Sequence, residues 1–259
     1  MIKFENIYKS FNGKVVLDNI SGCFKSEQIN MIIGPSGTGK SVFFKSILGL
    51  IPVDQGRIFF DNSEMKYDDD NVDIDSFRRQ IGVLQQKPAL APEKTVEENI
   101  CLYLDILTDL NSKEKKEIAN YYLEQVGMSG TNKKYPNELS GGMQKKVGIA
   151  CAIVHNPKYL FCDEPNSGLD PESSKKIDSL IKLVSRKYKM TTIIVSHNLD
   201  SVIQIGENIM FLYKTKKLWE GNRSQLFKND VPELNKFLKS SSMFEKYKKM
   251  ILEKNVTTF

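Results

Sequence analysis

Apolar and polar residues alternate from Met1 to about Lys25, the period of half-buried antiparallel strands. Over Ile29–Ile33 the alternation gives way to an apolar run, the pattern of a strand covered on both faces. Helical spacing follows, with Val42, Phe43, Ile47, Leu48 and Leu50 on one inward face, and Gly49 and Pro52 bracket its end. Gly56–Phe60 predicts another strand before a polar turn. From about Lys87 to Ala152 the period is helical, with Val96, Ile100, Leu102, Leu104, Ile106 and Leu107 supplying apolar faces. Tyr159–Cys162, Thr192–Val195 and Asn208–Leu212 predict three further strands. Helices and strands in this alternation imply an α/β sheet with parallel strands and right-handed crossovers. After Gly221 the character changes. Residues 223–259 carry eight Lys or Arg, with apolar positions at Leu226, Phe227, Leu234, Phe237 and Leu238, then Met243, Phe244, Tyr247, Met250, Ile251 and Leu252. Pro232 is placed to open one helix there, and Ser240-Ser241-Ser242 to separate it from a second.

Composition adds limits. The 259 residues are 40% apolar and 27% charged, ordinary for a soluble globular protein of one large or two small domains. No apolar stretch approaches the roughly 18 residues of a membrane span. The start, Met1-Ile2-Lys3-Phe4-Glu5, lacks the organisation of a signal peptide, so a cytoplasmic location is expected. Cys23, Cys101, Cys151 and Cys162 show no C-x-x-C spacing and read as small apolar groups rather than ligands or disulfides. The net charge of +5 is compatible with approach to an anionic membrane face. Seven acidic residues between 61 and 75, including Asp68-Asp69-Asp70, read as a solvated loop rather than a metal cluster.

The chemistry begins at Gly34-Pro35-Ser36-Gly37-Thr38-Gly39-Lys40-Ser41, a complete G-x-x-x-x-G-K-[ST] phosphate loop between the strand at Ile29–Ile33 and the following helix. In such a turn Gly34, Gly37 and Gly39 let backbone N–H groups converge on phosphate oxygens. Lys40 reaches the β- and γ-phosphates, and the Ser41 hydroxyl faces a magnesium ion.

About 100 residues later comes Leu139-Ser140-Gly141-Gly142-Met143, and Tyr159–Glu164 is an apolar run ending in Asp163-Glu164. Together with the phosphate loop, these resemble the ATP-binding-cassette (ABC) ATPases, over roughly residues 1–222. The resemblance implies a P-loop NTPase with a RecA-like α/β core, an antiparallel β subdomain and an inserted helical subdomain at about 87–152, followed by an amphipathic extension at 223–259. It also implies roles. Gln86, ending Ile81-Gly82-Val83-Leu84-Gln85-Gln86, resembles the Q-loop glutamine that touches magnesium and the attacking water. Asp163 resembles the Walker B magnesium carboxylate, and Glu164 the general base that aligns water. Ser167-Gly168-Leu169-Asp170 resembles the D-loop, and His197 the switch histidine on the γ-phosphate. Phe11 stands where the family places its adenine-stacking aromatic, with Tyr8 as the competing ring. Ser140, Gly141 and Gly142 grip the γ-phosphate of a nucleotide held by another copy. The chain departs from the family at Met143, where glutamine is commonest, and at Cys151, where arginine is usual.

The implied ligands are ATP and Mg2+, and the implied assembly is a head-to-tail homodimer with an integral membrane permease subunit, on the cytoplasmic face of the cell membrane. A small regulatory subunit is a further candidate partner. Nucleic acid is not expected as one, because soluble cassettes acting on nucleic acid or ribosomes usually carry two cassettes, long coiled coils or zinc-binding cysteines. The signature with Met143, and the segment from Asn229 to Leu238 with its Pro232 and Phe237-Leu238, resemble the Mla-type phospholipid-transport ATPases. Phospholipid transport is therefore the expected function. Import of amino acids such as methionine, and lipoprotein-release or division-associated cassettes, are the alternatives.

Overall fold

In a computed structural model, which describes residues 1–66, 77, 79–239, 244 and 247–248, the alternating N-terminal segment forms two long strands, β1 (Ile2–Phe11) and β2 (Lys14–Phe24). They are antiparallel and joined through Asn12 and Gly13, at φ 50° and 77°, the two positive angles that a tight hairpin requires. With β4 (Gln55–Phe60) and β5 (Ser63–Glu64) they make a sheet in the order β2-β1-β4-β5. One face buries Ile2, Phe4, Ile7, Leu17, Ile20 and Phe24. Phe43 of helix α1 (Lys40–Ile47) packs into this face, its ring centroid 5.0 Å from Phe4 and 6.2 Å from Phe24. These rings fix the helix that follows the phosphate loop. Each such buried aromatic contributes about 2–3 kcal/mol.

This sheet belongs to the first of two compact units, Met1–Asp68 with Val195–Phe259; the second is Asp69–Ile194. The first unit also holds β3 (Ile29–Ile33), buried at all five positions, parallel to β9 (Asn208–Tyr213), with β10 (Lys216–Asn222) antiparallel to β9. The polar residue of β3, Asn30, is fully buried and answered. Its Oδ1 accepts from Lys25 N at 2.7 Å and from Asn208 Nδ2 at 3.2 Å, and its Nδ2 donates to the Lys25 and Gln28 carbonyls. That network pins the entry to β3 against β9.

Among the described residues of the extension, several apolar positions are used within its own unit. Helix α6 (Leu199–Ile205) precedes β9, while helices α7 (Arg223–Leu226) and α8 (Pro232–Leu238) bury Leu226, Leu234 and Leu238, and Phe244 is 1% exposed. Phe237 lies 5.5 Å from Phe211 of β9, and Phe227 stacks on Phe244 at 5.2 Å. Ser240–Ser242, Met243, Met250, Ile251 and Leu252 lie outside the described residues, as do Asp68, Asp69 and Asp70 of the acidic segment.

In the second unit, β8 (Thr191–Val195, whose last residue falls in the first unit), β7 (Tyr159–Asp163) and β6 (Ile81–Leu84) are neighbours in that order, with β6 and β7 parallel. Between β6 and β7 run α2 (Val96–Leu107), α3 (Ser112–Gln125) and α4 (Gly141–Ile153); α5 (Pro171–Lys187) connects β7 to β8. Capping boxes start α2 (Thr95 with Glu98) and α3 (Asn111 with Glu114). Two expected inward residues face out. Ile106 is 71% exposed because Val96, Ile100 and Leu104, one turn apart, already define the buried stripe of α2. Leu50 is 68% exposed because α1 has ended, with Gly49 at φ 75° turning the chain away.

Candidate active site

The phosphate loop joins β3 to α1 in the first unit. Gly34, at φ 146°, lies so close to β9 that a Cβ there would sit 2.1 Å from the Leu212 carbonyl oxygen. Gly39, at φ 95°, precedes α1, and its Cβ would sit 2.6 Å from the Val16 oxygen. Only glycine fits either place, so both the turn and its contact with β2 follow from the motif. Lys40 is 8% exposed, and its Nζ donates to the Gly34 and Pro35 carbonyls, 2.8 Å each. The Thr38 hydroxyl donates to the Pro35 carbonyl at 2.9 Å. Ser36, Gly37 and Ser41 are exposed at the loop's rim, with the N-terminus of α1 beneath them. An oxyanion fits this cradle: it meets backbone donors, a helix N-terminus and an ammonium held on two carbonyls.

Two more expected residues lie in the same unit. Phe11 ends β1, pairs with Lys14 and is 44% exposed, while Tyr8 is half-buried. Because Val16, two residues beyond Lys14, touches Gly39, the hairpin brings Phe11 toward the phosphate loop. Lys9 Nζ sits 5.2 Å from the Phe11 centroid and bonds Asp54 Oδ1 at 2.6 Å; Asp54 Oδ2 accepts from Ser10 N and Oγ. The Lys9 ammonium, then Ser10, hold the Asp54 carboxyl below its ordinary value. His197 is exposed, and the preceding Ser196 N donates to the Ile32 oxygen at 3.2 Å. His197 therefore leaves its strand beside the end of β3 from which the phosphate loop departs.

The other expected residues are in the second unit. Asp163 ends β7 and Glu164 follows it, both half-buried. Glu164 has φ 45°, a left-handed backbone that a non-glycine residue adopts at a cost. The Gln86 side chain donates to Ser167 Oγ at 2.9 Å, linking the Q-loop to the D-loop. Ser140 caps α4, accepting from Met143 N at 3.4 Å; Ser140 and Gly141 are exposed and Gly142 half-exposed. Asp170 caps α5, its Oδ1 accepting from Glu172 N and Ser173 N, and these bonds lower its pKa, with Ser173 as the first cause. Its carboxylate is thus engaged in its own helix. Cys151 is fully buried, and desolvation pushes its thiol up to about 12, in line with a small apolar group.

Sequence reasoning missed Lys145. It is 4% exposed on α4 and donates its ammonium to the Gln86 carbonyl. The available signal was a lysine one turn before Ile149 on a face that is otherwise buried and apolar.

Comparison with known proteins agrees with this fold. The family described as ABC transporter matches residues 17–167. A probable ribonucleotide transport ATP-binding protein, mkl of Mycobacterium leprae, is 32% identical over 92% of this chain and 68% of its own length. The glutamine transport ATP-binding protein GlnQ of Geobacillus stearothermophilus is 35% identical over 90% of this chain and 95% of its own. The methionine import ATP-binding protein MetN of Clostridium tetani is 33% identical over 94% and 76%. Among solved structures, the cassette MJ0796, dimeric and bound to ADP and Pi in a post-hydrolysis state, superposes with a TM-score of 0.76 at 28% identity, covering 86% of this chain and 99% of that one. CbiO1 of Clostridium perfringens, part of the transporter complex cbiONQ, gives 0.81 at 28% identity, covering 88% and 90%. The fold is accordingly the P-loop ABC ATPase α/β fold with an antiparallel β subdomain and a mixed sheet. This chain belongs to the ABC transporter family, as an ATP-binding subunit that hydrolyses ATP to drive transport.

Proposed function

We propose that this chain powers the import of a small polar solute, with amino acids as the favoured class, as one half of a head-to-tail homodimer bound to a membrane-spanning permease. The observation that carries the reading is the match to GlnQ, which runs over nearly the whole of that amino-acid transport subunit, alongside the match to MetN. The names of the relatives described above include ribonucleotide, glutamine and methionine, and none includes a lipid. The phospholipid reading rested partly on the segment around Pro232, and the burial of Leu234 and Leu238 gives that segment a packing role inside its own unit. No helix among the described residues is long and apolar enough to cross a membrane, so the reading assigns the solute path to a separate subunit.

In this mechanism Lys40 exchanges its two carbonyls for phosphate oxygens, and Phe11 stacks on the adenine. Ser41, Asp163 and Gln86 are the residues that would hold a magnesium ion, which would supply charge neutralisation at the phosphates. Glu164 accepts the proton of the attacking water and His197 donates to the γ-phosphate. Ser140, Gly141 and Gly142 reach the nucleotide of the other copy, so phosphate release removes the bridge between copies.

The test is reconstitution with the copurifying permease in lipid vesicles. Stimulation of ATP hydrolysis by one free amino acid, with its accumulation, supports the reading. ATP-driven phospholipid movement without such stimulation overturns it in favour of lipid transport.

A further inference from the structure

Lys145 is a charged group where packing calls for an apolar one. Its neighbours along α4, Val147, Ile149 and Ile153, are each at most 1% exposed. An ammonium in such surroundings costs several kcal/mol unless it is well partnered. Desolvation pulls its pKa down, opposed by Cys162 and the carboxylates of Asp163 and Glu164. Among the described residues its hydrogen-bond partner is the backbone carbonyl of Gln86.

That bond joins three functional segments at one residue. Lys145 stands one turn beyond the exposed Ser140-Gly141-Gly142 tip, on the same helix. It grips Gln86 by the main chain, while the Gln86 side chain is on Ser167 of the D-loop. The backbone at Gln86 is thereby fixed and the amide is held by a single neutral hydrogen bond, which nets only about 0.5–1.5 kcal/mol. A side chain so arranged turns about a fixed root.

We propose that Lys145 is a positioning residue for hydrolysis: by holding the Gln86 carbonyl from the signature helix, it sets the root from which the Gln86 amide leaves Ser167 for the attacking water. The proposal rests on the reading of Gln86 as the glutamine directed to metal and water. Without Lys145 the loop shifts, the amide misses its position, and ATP still binds, because the phosphate loop and Phe11 are in the other unit. Misplacement by about 1 Å is enough to cost on the order of 10²-fold in rate.

The experiment compares the full chain with its Lys145→Met, Lys145→Arg and Gln86→Ala variants. Read out are kcat, the Kd for trinitrophenyl-ATP, the melting temperature, and hydrogen–deuterium exchange of the peptide around residues 85–88. Lys145→Met is expected to lower kcat by about 10–100-fold, leave the Kd within about twofold, and speed exchange in that peptide alone. Lys145→Arg, which keeps a donor and a charge, recovers kcat and slow exchange; should it fail to fold, the kcat-against-Kd split and the local exchange of Lys145→Met decide. Gln86→Ala lowers kcat at least as far. If Gln86→Ala is impaired while Lys145→Met has normal kcat, Lys145 has no such role and the reading of Gln86 stands. If Gln86→Ala hydrolyses normally, that reading fails and takes the proposal with it. A Lys145→Met variant that loses nucleotide affinity and exchanges faster throughout marks a merely structural lysine.

Discussion

Glu164, proposed above as the general base, also has a left-handed backbone, φ 45°, and the two properties separate by mutation. An L-residue in this region carries about 1–2 kcal/mol of steric strain, which glycine does not. Glycine in turn adds about 0.5–1 kcal/mol of chain entropy to the unfolded state. With the middle of each range, Glu164→Gly is expected to be about 0.75 kcal/mol more stable than Glu164→Ala, a difference of about 1.5–3 °C in Tm for a chain of this size. Both variants lose the carboxylate and every contact it makes, so the comparison isolates the backbone. Both should lose about 10²–10⁴-fold in ATP turnover. Lys189, at φ 51° just beyond α5, serves as the control: Lys189→Gly should gain similar stability and keep its activity. Calorimetry at pH 7, with ATPase rates on the same samples, makes the measurement. A Glu164→Gly protein that melts at or below the Glu164→Ala protein refutes the assignment of strain to the catalytic position.

Gly39→Ala, whose Cβ would meet the Val16 oxygen at 2.6 Å, should weaken ATP binding by at least about tenfold and cost more than about 1 kcal/mol in stability; titration with a fluorescent ATP analogue and a thermal melt check both. Leu234→Ala, at a fully buried site in the extension, should cost about 2–5 kcal/mol in urea unfolding although every nucleotide motif is intact. His155 bonds the Ile81 oxygen through Nε2 at 3.1 Å, and burial holds its pKa below the ordinary value. The unfolded chain then binds the extra proton first, so stability is fully present above about pH 6.5 and falls with decreasing pH by up to about 1.4 kcal/mol per unit until the folded pKa is reached. His155→Phe should flatten that slope below about pH 6.5; an unchanged slope in denaturation curves rules this histidine out as its source.

The phosphate loop and the bounds of β3 were legible because each depends on local chemistry: glycine at positive φ and apolar residues in succession. The helical spacing carried α1 too far, to Leu50, because periodicity alone does not mark the turn at Gly49. The α/β class followed from the order of such elements, and the P-loop ABC ATPase fold from the resemblance that the motifs carry. Strand β10 was not legible, since Lys216, Lys217, Glu220 and Asn222 give it too little apolar alternation, and it is held by β9 rather than by a core of its own. Amphipathic spacing in the extension showed that a face had to be covered but not that Phe211 lay beneath it. Gln86 was visible as a motif residue. Its bonds to Ser167 and Lys145 were not, because they join segments 81 and 59 residues away.

The bond between Asn30 and Asn208 spans 178 residues of chain. On a ribosome adding about 5–20 residues per second, β3 emerges about 10–35 s before the strand that covers one of its edges exists. For that interval Ile29, Met31, Ile32 and Ile33 form a short, uncharged apolar edge of the kind that pairs with other nascent chains. The parallel pairing that places the phosphate loop thus leaves an apolar segment uncovered in a newborn chain, and yield in cells should fall as translation of residues 34–207 is slowed.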